Sequence, residues 1–102
     1  MLKGPCTIVS APNERTLIHR AHAPALATAG SGDVLAGIAA AFATAMPGPA
    51  AAIAGVFVHA RAAQAWQAAN GDADRGLLAH EITDFVPRVI AELARDPALL
   101  PV

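Results

Sequence analysis

The chain has 102 residues, 55% of them hydrophobic and 15% charged, with a formal net charge of -1; that is one domain's worth, and alanine rather than bulky side chains supplies much of its mean hydropathy of +0.45. His59, Arg61 and Gln64 interrupt the longest apolar run short of the ~18 residues of a membrane span, and the near-neutral balance offers no electrostatic footprint for nucleic acid. The start, Met1-Leu2-Lys3-Gly4-Pro5, has no apolar stretch of a signal peptide, and the single cysteine, Cys6, cannot form an internal disulfide, so the expected compartment is the cytoplasm.

Two short strands come first. Thr7-Ile8-Val9 is β-branched, Ala11-Pro12-Asn13-Glu14 carries turn residues, and Thr16-Leu17-Ile18-His19 resumes the extended pattern. Residues 21–29 read as irregular, broken by Pro24. A glycine-rich turn, Gly30-Ser31-Gly32-Asp33, then feeds a helix over Val34–Ala43 that stops near Met46-Pro47-Gly48-Pro49. A second helix is predicted from Pro49 to a C-cap at Asn70-Gly71, apolar on more than one side. After a polar loop at 71–76, a third helical stretch runs from Leu78 to Phe85. Pro87 then starts a separate one over Val86–Ala94. The result is a β-hairpin followed by three or four helices, α/β in class, with an open sheet edge and apolar helix faces that lead us to expect a homo-oligomer.

The chemistry concentrates in Leu26-Ala27-Thr28-Ala29-Gly30-Ser31-Gly32-Asp33-Val34-Leu35-Ala36-Gly37. Glycines at 30 and 32 allow a tight turn and close approach to a ligand. The N–H groups of Gly30, Ser31, Gly32 and Asp33 open a helix, where unpaired donors and the macrodipole attract an anion such as phosphate. An aspartate beside an anion hole makes sense as a base for a hydroxyl that attacks phosphorus. The plainer reading makes Asp33 an ordinary first-turn residue. Neither a Walker A loop nor a dinucleotide Gly-x-Gly-x-x-Gly is present.

The block from Leu26 to Ile38 resembles the signature of the ADP-dependent NAD(P)H-hydrate dehydratases, members of the ribokinase-like superfamily. The likeness continues through Gly55-Val56-Phe57-Val58-His59, through Gly76 to Ala79, and upstream in Lys3-Gly4-Pro5-Cys6-Thr7, which is similar to the family's Lys-Gly-x-x-Thr. The resemblance implies that residues 1–102 are the C-terminal portion of a three-layer ribokinase-like domain whose N-terminal half is absent. It implies adenine-nucleotide contacts at Lys3, Gly4, Pro5, Cys6, Thr7 and Gly32, and a contact of Asp33 with the substrate NAD(P)H-hydrate. ADP as phosphoryl donor and Mg²⁺ are implied with them, and Asp33 as the catalytic base. Two departures stand out: His22-Ala23-Pro24-Ala25 replaces a Gly-Asn-Pro-Gly, and Ala60 replaces the glycine after the helical histidine. An ATP-dependent small-molecule kinase of the same superfamily would use the same aspartate and anion hole. A non-catalytic fragment is the reading from a different class.

The remaining polar residues read more simply. His59 is expected as a core or helix-contact histidine, Trp66 as packing, Cys6 as a buried strand thiol, and His80, Glu81 and Asp84 as a solvated helix face. His19, His22 and His80 lack the spacing of metal ligands.

Overall fold

The computed structural model describes residue 1 and residues 6–99. Two strands, β1 (Cys6–Val9) and β2 (Leu17–Arg20), pair antiparallel with Thr7 opposite His19 and Val9 opposite Leu17. The turn between them closes with Glu14 N–H on Ala11 O at 3.2 Å, and Asn13 adopts a φ of 62°, a conformation asparagine tolerates better than most residues. Strand alternation sends Thr7 and Val9 inward and leaves Cys6 exposed, so the expectation of a buried thiol is corrected. Its β-branched neighbours set the phase of the strand, and a cysteine at the first position takes the outward side.

A single 3₁₀ turn, Pro24–Leu26, lies within the irregular stretch. Then come α1 (Ser31–Ala43), α2 (Gly48–Ala69) and α3 (Ala79–Arg95), followed by a second 3₁₀ turn at Pro97–Leu99. Helix α1 begins three residues before the expected Val34, because the glycine-rich segment is itself the first helical turn. Helix α2 ends as its Asn70-Gly71 pair foretells: Asp72 N–H closes on Gln67 O at 2.7 Å, and Asn70 Nδ2 donates to Trp66 O at 2.8 Å.

The expected break at Pro87 does not occur, and α3 runs through it as one helix. Proline lacks the N–H that would bond Thr83 O, a cost of about 3 kcal/mol in a helix interior. Pro87 and Thr83 are both exposed, so water can serve that carbonyl. Ile82 and Val89, one on each side, are 0% and 2% exposed and hold both halves on the same core. Their spacing of two helical turns requires a continuous helix.

Helix α2 is the spine. Its Val58, Ala62, Ala63 and Trp66 pack with Ala25, Leu77, Ile82 and Val89 in the main core, so the expected packing role of Trp66 holds. A smaller cluster, Val9, Leu35 and Val56, fastens the hairpin to α1 and α2. Helices α1 and α2 touch backbone to backbone: a Cβ placed on Gly55 would sit 3.0 Å from both Cα and Cβ of Ala39. Small residues on both helices permit that approach and explain how a chain short of bulky side chains still closes its core.

Candidate active site at the first turn of α1

Gly30 precedes α1 in the left-handed conformation, φ 86°, which bends the chain sharply into the helix. The position is doubly restricted, since a Cβ there would also lie 3.3 Å from the Cβ of Ala79 at the start of α3. Ser31 is 3% exposed and held through its N–H, its hydroxyl and its carbonyl. Its N–H donates to Thr28 O at 3.3 Å, its hydroxyl donates to Leu26 O at 2.8 Å, and its carbonyl accepts from His59 Nε2 at 2.9 Å. Because a carbonyl only accepts, Nε2 carries the ring proton.

With Ser31 N–H bonded to Thr28 and Val34 N–H bonded to Gly30 O at 3.2 Å, helix geometry leaves the amides of Gly32 and Asp33 without intrahelical acceptors. Both residues are exposed, and Asp33 is the acidic residue of this first turn. The turn therefore presents two donors, the positive end of the α1 dipole and a carboxylate to the same solvent-open region. Such an arrangement can bind an anion and accept a proton beside it.

Behind this turn lies a cavity of about 600 Å³ between the hairpin and α2, lined by Thr7, His19, Leu26, Leu35, Val56 and His59 among others. His22, Ala23 and Pro24, from the segment that departs from Gly-Asn-Pro-Gly, form part of its wall. Of the expected nucleotide contacts, Thr7 reaches this cavity, Cys6 is exposed, and Lys3, Gly4 and Pro5 lie outside the described residues. Gly30, Ser31, Gly32 and Asp33 are not in the lining; the bond from His59 to Ser31 links the cavity to the turn. His19 sits edge-on to Phe57, ring centroids 6.1 Å apart, and burial pushes its pKa below the usual 6.5.

His59 is the helix contact that the sequence suggested, but its acceptor 28 residues away was not foreseen. A histidine flanked by alanine and valine on a buried helix needs a polar partner, and that requirement was the available signal. Glu81 is more than a solvated residue: its Oε1 accepts Leu78 N–H at 2.9 Å and caps α3. Among the described residues no group of three or more His, Cys, Asp or Glu could hold a metal ion, and no helix is long and apolar enough to cross a membrane. An open apolar groove of about 340 Å³ runs between α1 and α3, past Val34, Ile38, Phe42, Val86 and Ile90.

Residues 1–88 match the family model described as NAD(P)H-hydrate dehydratase. An ADP-dependent (S)-NAD(P)H-hydrate dehydratase of Xanthomonas campestris is 41% identical over 96 residues, which cover 93% of this chain and 32% of that protein. A second protein of that name, from Neisseria meningitidis, is 42% identical over 83 residues, 80% of this chain and 28% of the relative. A bifunctional NAD(P)H-hydrate repair enzyme Nnr of Moorella thermoacetica is 38% identical over 98 residues, 94% of this chain and 18% of the relative. The chain thus spans no more than about a third of the length of these relatives. No solved structure matches it.

Proposed function

The chain belongs to the NAD(P)H-hydrate dehydratase family, and from that premise we propose that it carries the phosphoryl-transfer end of an enzyme that converts (S)-NAD(P)H-hydrate back to NAD(P)H while consuming ADP. In this reading residues 1–102 are the C-terminal portion of a ribokinase-like three-layer domain. The small hairpin supports that placement, because β2 buries none of its four residues and two strands alone are barely stable.

The exposed first turn of α1 carries the proposal. Asp33 takes the proton of the hydroxyl on the hydrated nicotinamide ring as the oxygen attacks the β-phosphorus of ADP, and AMP leaves. The amides of Gly32 and Asp33 receive the charge that builds on the transferred group. Loss of phosphate, with a proton from the neighbouring ring carbon, then restores the double bond. Thr7 and the Lys3–Cys6 segment are assigned to the nucleotide. The described residues form no cage for Mg²⁺, so it enters the proposal only as a companion of the nucleotide phosphates, and no step is routed through it. Self-association belongs to the same reading, supported by the open groove between α1 and α3, and so does a cytoplasmic setting for this small-molecule chemistry.

The test joins the chain to the N-terminal part of a family member and follows the return of NADH absorbance from hydrated NADH with ADP and Mg²⁺. Asp33→Asn should lower turnover on the order of 10²–10⁴-fold, the range for a general base, with nucleotide affinity nearly unchanged. Near-full turnover by Asp33→Asn would sink the base assignment. Consumption of ATP with only a pyrimidine or sugar alcohol would replace the dehydratase by a kinase.

A further inference from the structure

We infer that His59 is a positioning residue that orients and strengthens the Gly32 amide as an anion donor, acting through the Ser31 carbonyl. The inference rests on the proposed nucleotide site at α1, and it extends that site to a residue on a different helix.

The Ser31 oxygen and the Gly32 N–H are the two ends of one planar peptide unit. Nε2 of His59 holds the oxygen at 2.9 Å, and His59 itself is 2% exposed within α2. The same oxygen is the acceptor that α-helical geometry assigns to Leu35 N–H, and a carbonyl has lone pairs for both donors. Two donors on the oxygen withdraw charge through the amide and make its N–H a stronger donor, as in any chain of hydrogen bonds. They also fix the plane of the peptide, so that the Gly32 N–H keeps one direction. Gly32 needs that help, since glycine has no side chain to restrict its backbone. The Ser31 hydroxyl donates to Leu26 O at 2.8 Å and anchors the preceding turn.

Two substitutions separate this role from simple packing. His59→Phe keeps ring volume and loses the donor; His59→Gln loses ring volume and keeps an amide N–H near the Nε2 position. Binding of ADP and, separately, of inorganic phosphate is followed through the amide resonances of Gly32 and Asp33. His59→Phe should weaken ADP by about 3- to 10-fold, the span expected for one hydrogen bond, and shift the Gly32 amide proton upfield in the free chain. His59→Gln should stay within about twofold of the unsubstituted chain. The reverse order, with Phe tolerated and Gln impaired, would reduce His59 to a core residue and overturn the inference.

A measurement on the unsubstituted chain stands in if His59→Phe does not fold. The His59 Nε2 proton and the Gly32 amide proton should move downfield together as ADP is added. A shift at Gly32 with none at His59 overturns the inference while leaving the nucleotide site in place. No response at Gly32 or Asp33 to ADP overturns the site, and the inference with it.

Discussion

The helical layer and the hairpin are held by different means. In the layer, α2 presses Val58, Ala62, Ala63 and Trp66 against Leu77, Ile82 and Val89, all at most 6% exposed, and meets α1 at backbone distance through Gly55. The hairpin contributes only Val9 and, half-buried, Leu17 to the cluster with Leu35 and Val56, and leaves Ile18 52% exposed. One region is a close-packed solid in which volume decides stability. The other is a two-stranded flap over a cavity, in which a single buried face decides it and the charge state of His19 adds a smaller share. The proposed donors lie on the layer, at the first turn of α1, while Thr7 lies on the flap over the cavity, and the bond from His59 to Ser31 links that turn to the cavity wall.

The sharpest way to break this contrast is in the main core. Ile82→Ala should cost about 2–5 kcal/mol, because Ile82 is fully buried and the gap cannot refill. Chemical denaturation should show α1, α2 and α3 lost in one step, and an unchanged midpoint would mean that the layer is looser than its burial implies.

Gly55→Ala tests the backbone contact. Alanine improves helix propensity by up to about 1 kcal/mol, yet its Cβ would fall 3.0 Å from the Cα of Ala39, which has no flexible end to move aside. Overpacking costs about 1–3 kcal/mol, so the net effect should be a loss near 1 kcal/mol, or about 4–8 °C in Tm. A rise in Tm would show that α1 and α2 can part without cost.

The smallest expected effect is confined to the flap. Burial favours the neutral form of His19, so its folded pKa lies below the unfolded value of 6.5. Its share of stability is complete above 6.5 and is lost as pH falls from there through the lower folded value. Hydrogen exchange at the β1 and β2 amides, corrected for intrinsic rates, should accelerate as pH falls below 6.5, while Ala62–Trp66 amides hold. His19→Phe should remove the dependence, and equal acceleration in both regions would erase the distinction between them.

Much of the fold was legible because it depends on local signals. The β-branched run at Thr7–Val9, the Met46–Pro49 break and the Asn70-Gly71 cap each mark an element boundary within a residue or two. Pro87 misled for the same reason: locally it argues for a break, and only the burial of Ile82 and Val89 on a shared core overrides it. The outward turn of Cys6 depends on strand phase, which residue type alone does not set. At the site, the start of α1 was legible because glycine and aspartate declare themselves by type, but the expected four-amide hole is smaller: Gly30 precedes the helix and Ser31 N–H is already bonded to Thr28 O, which leaves the amides of Gly32 and Asp33. The tie from His59 to Ser31 and the cavity around Thr7 were not legible, because each joins elements far apart in sequence.

Ala79 gives the site a remote handle. Its methyl group is the nearest contact that a side chain on Gly30 would meet, so the first residue of α3 is the floor on which the turn rests. The position of that floor is set from the other side by Leu77, 2% exposed near the end of a loop whose other residues are exposed except the half-buried Ala73, and by Ile82 one turn into the helix. Leu77 therefore supports, from the core side, the residue against which the entrance to α1 packs.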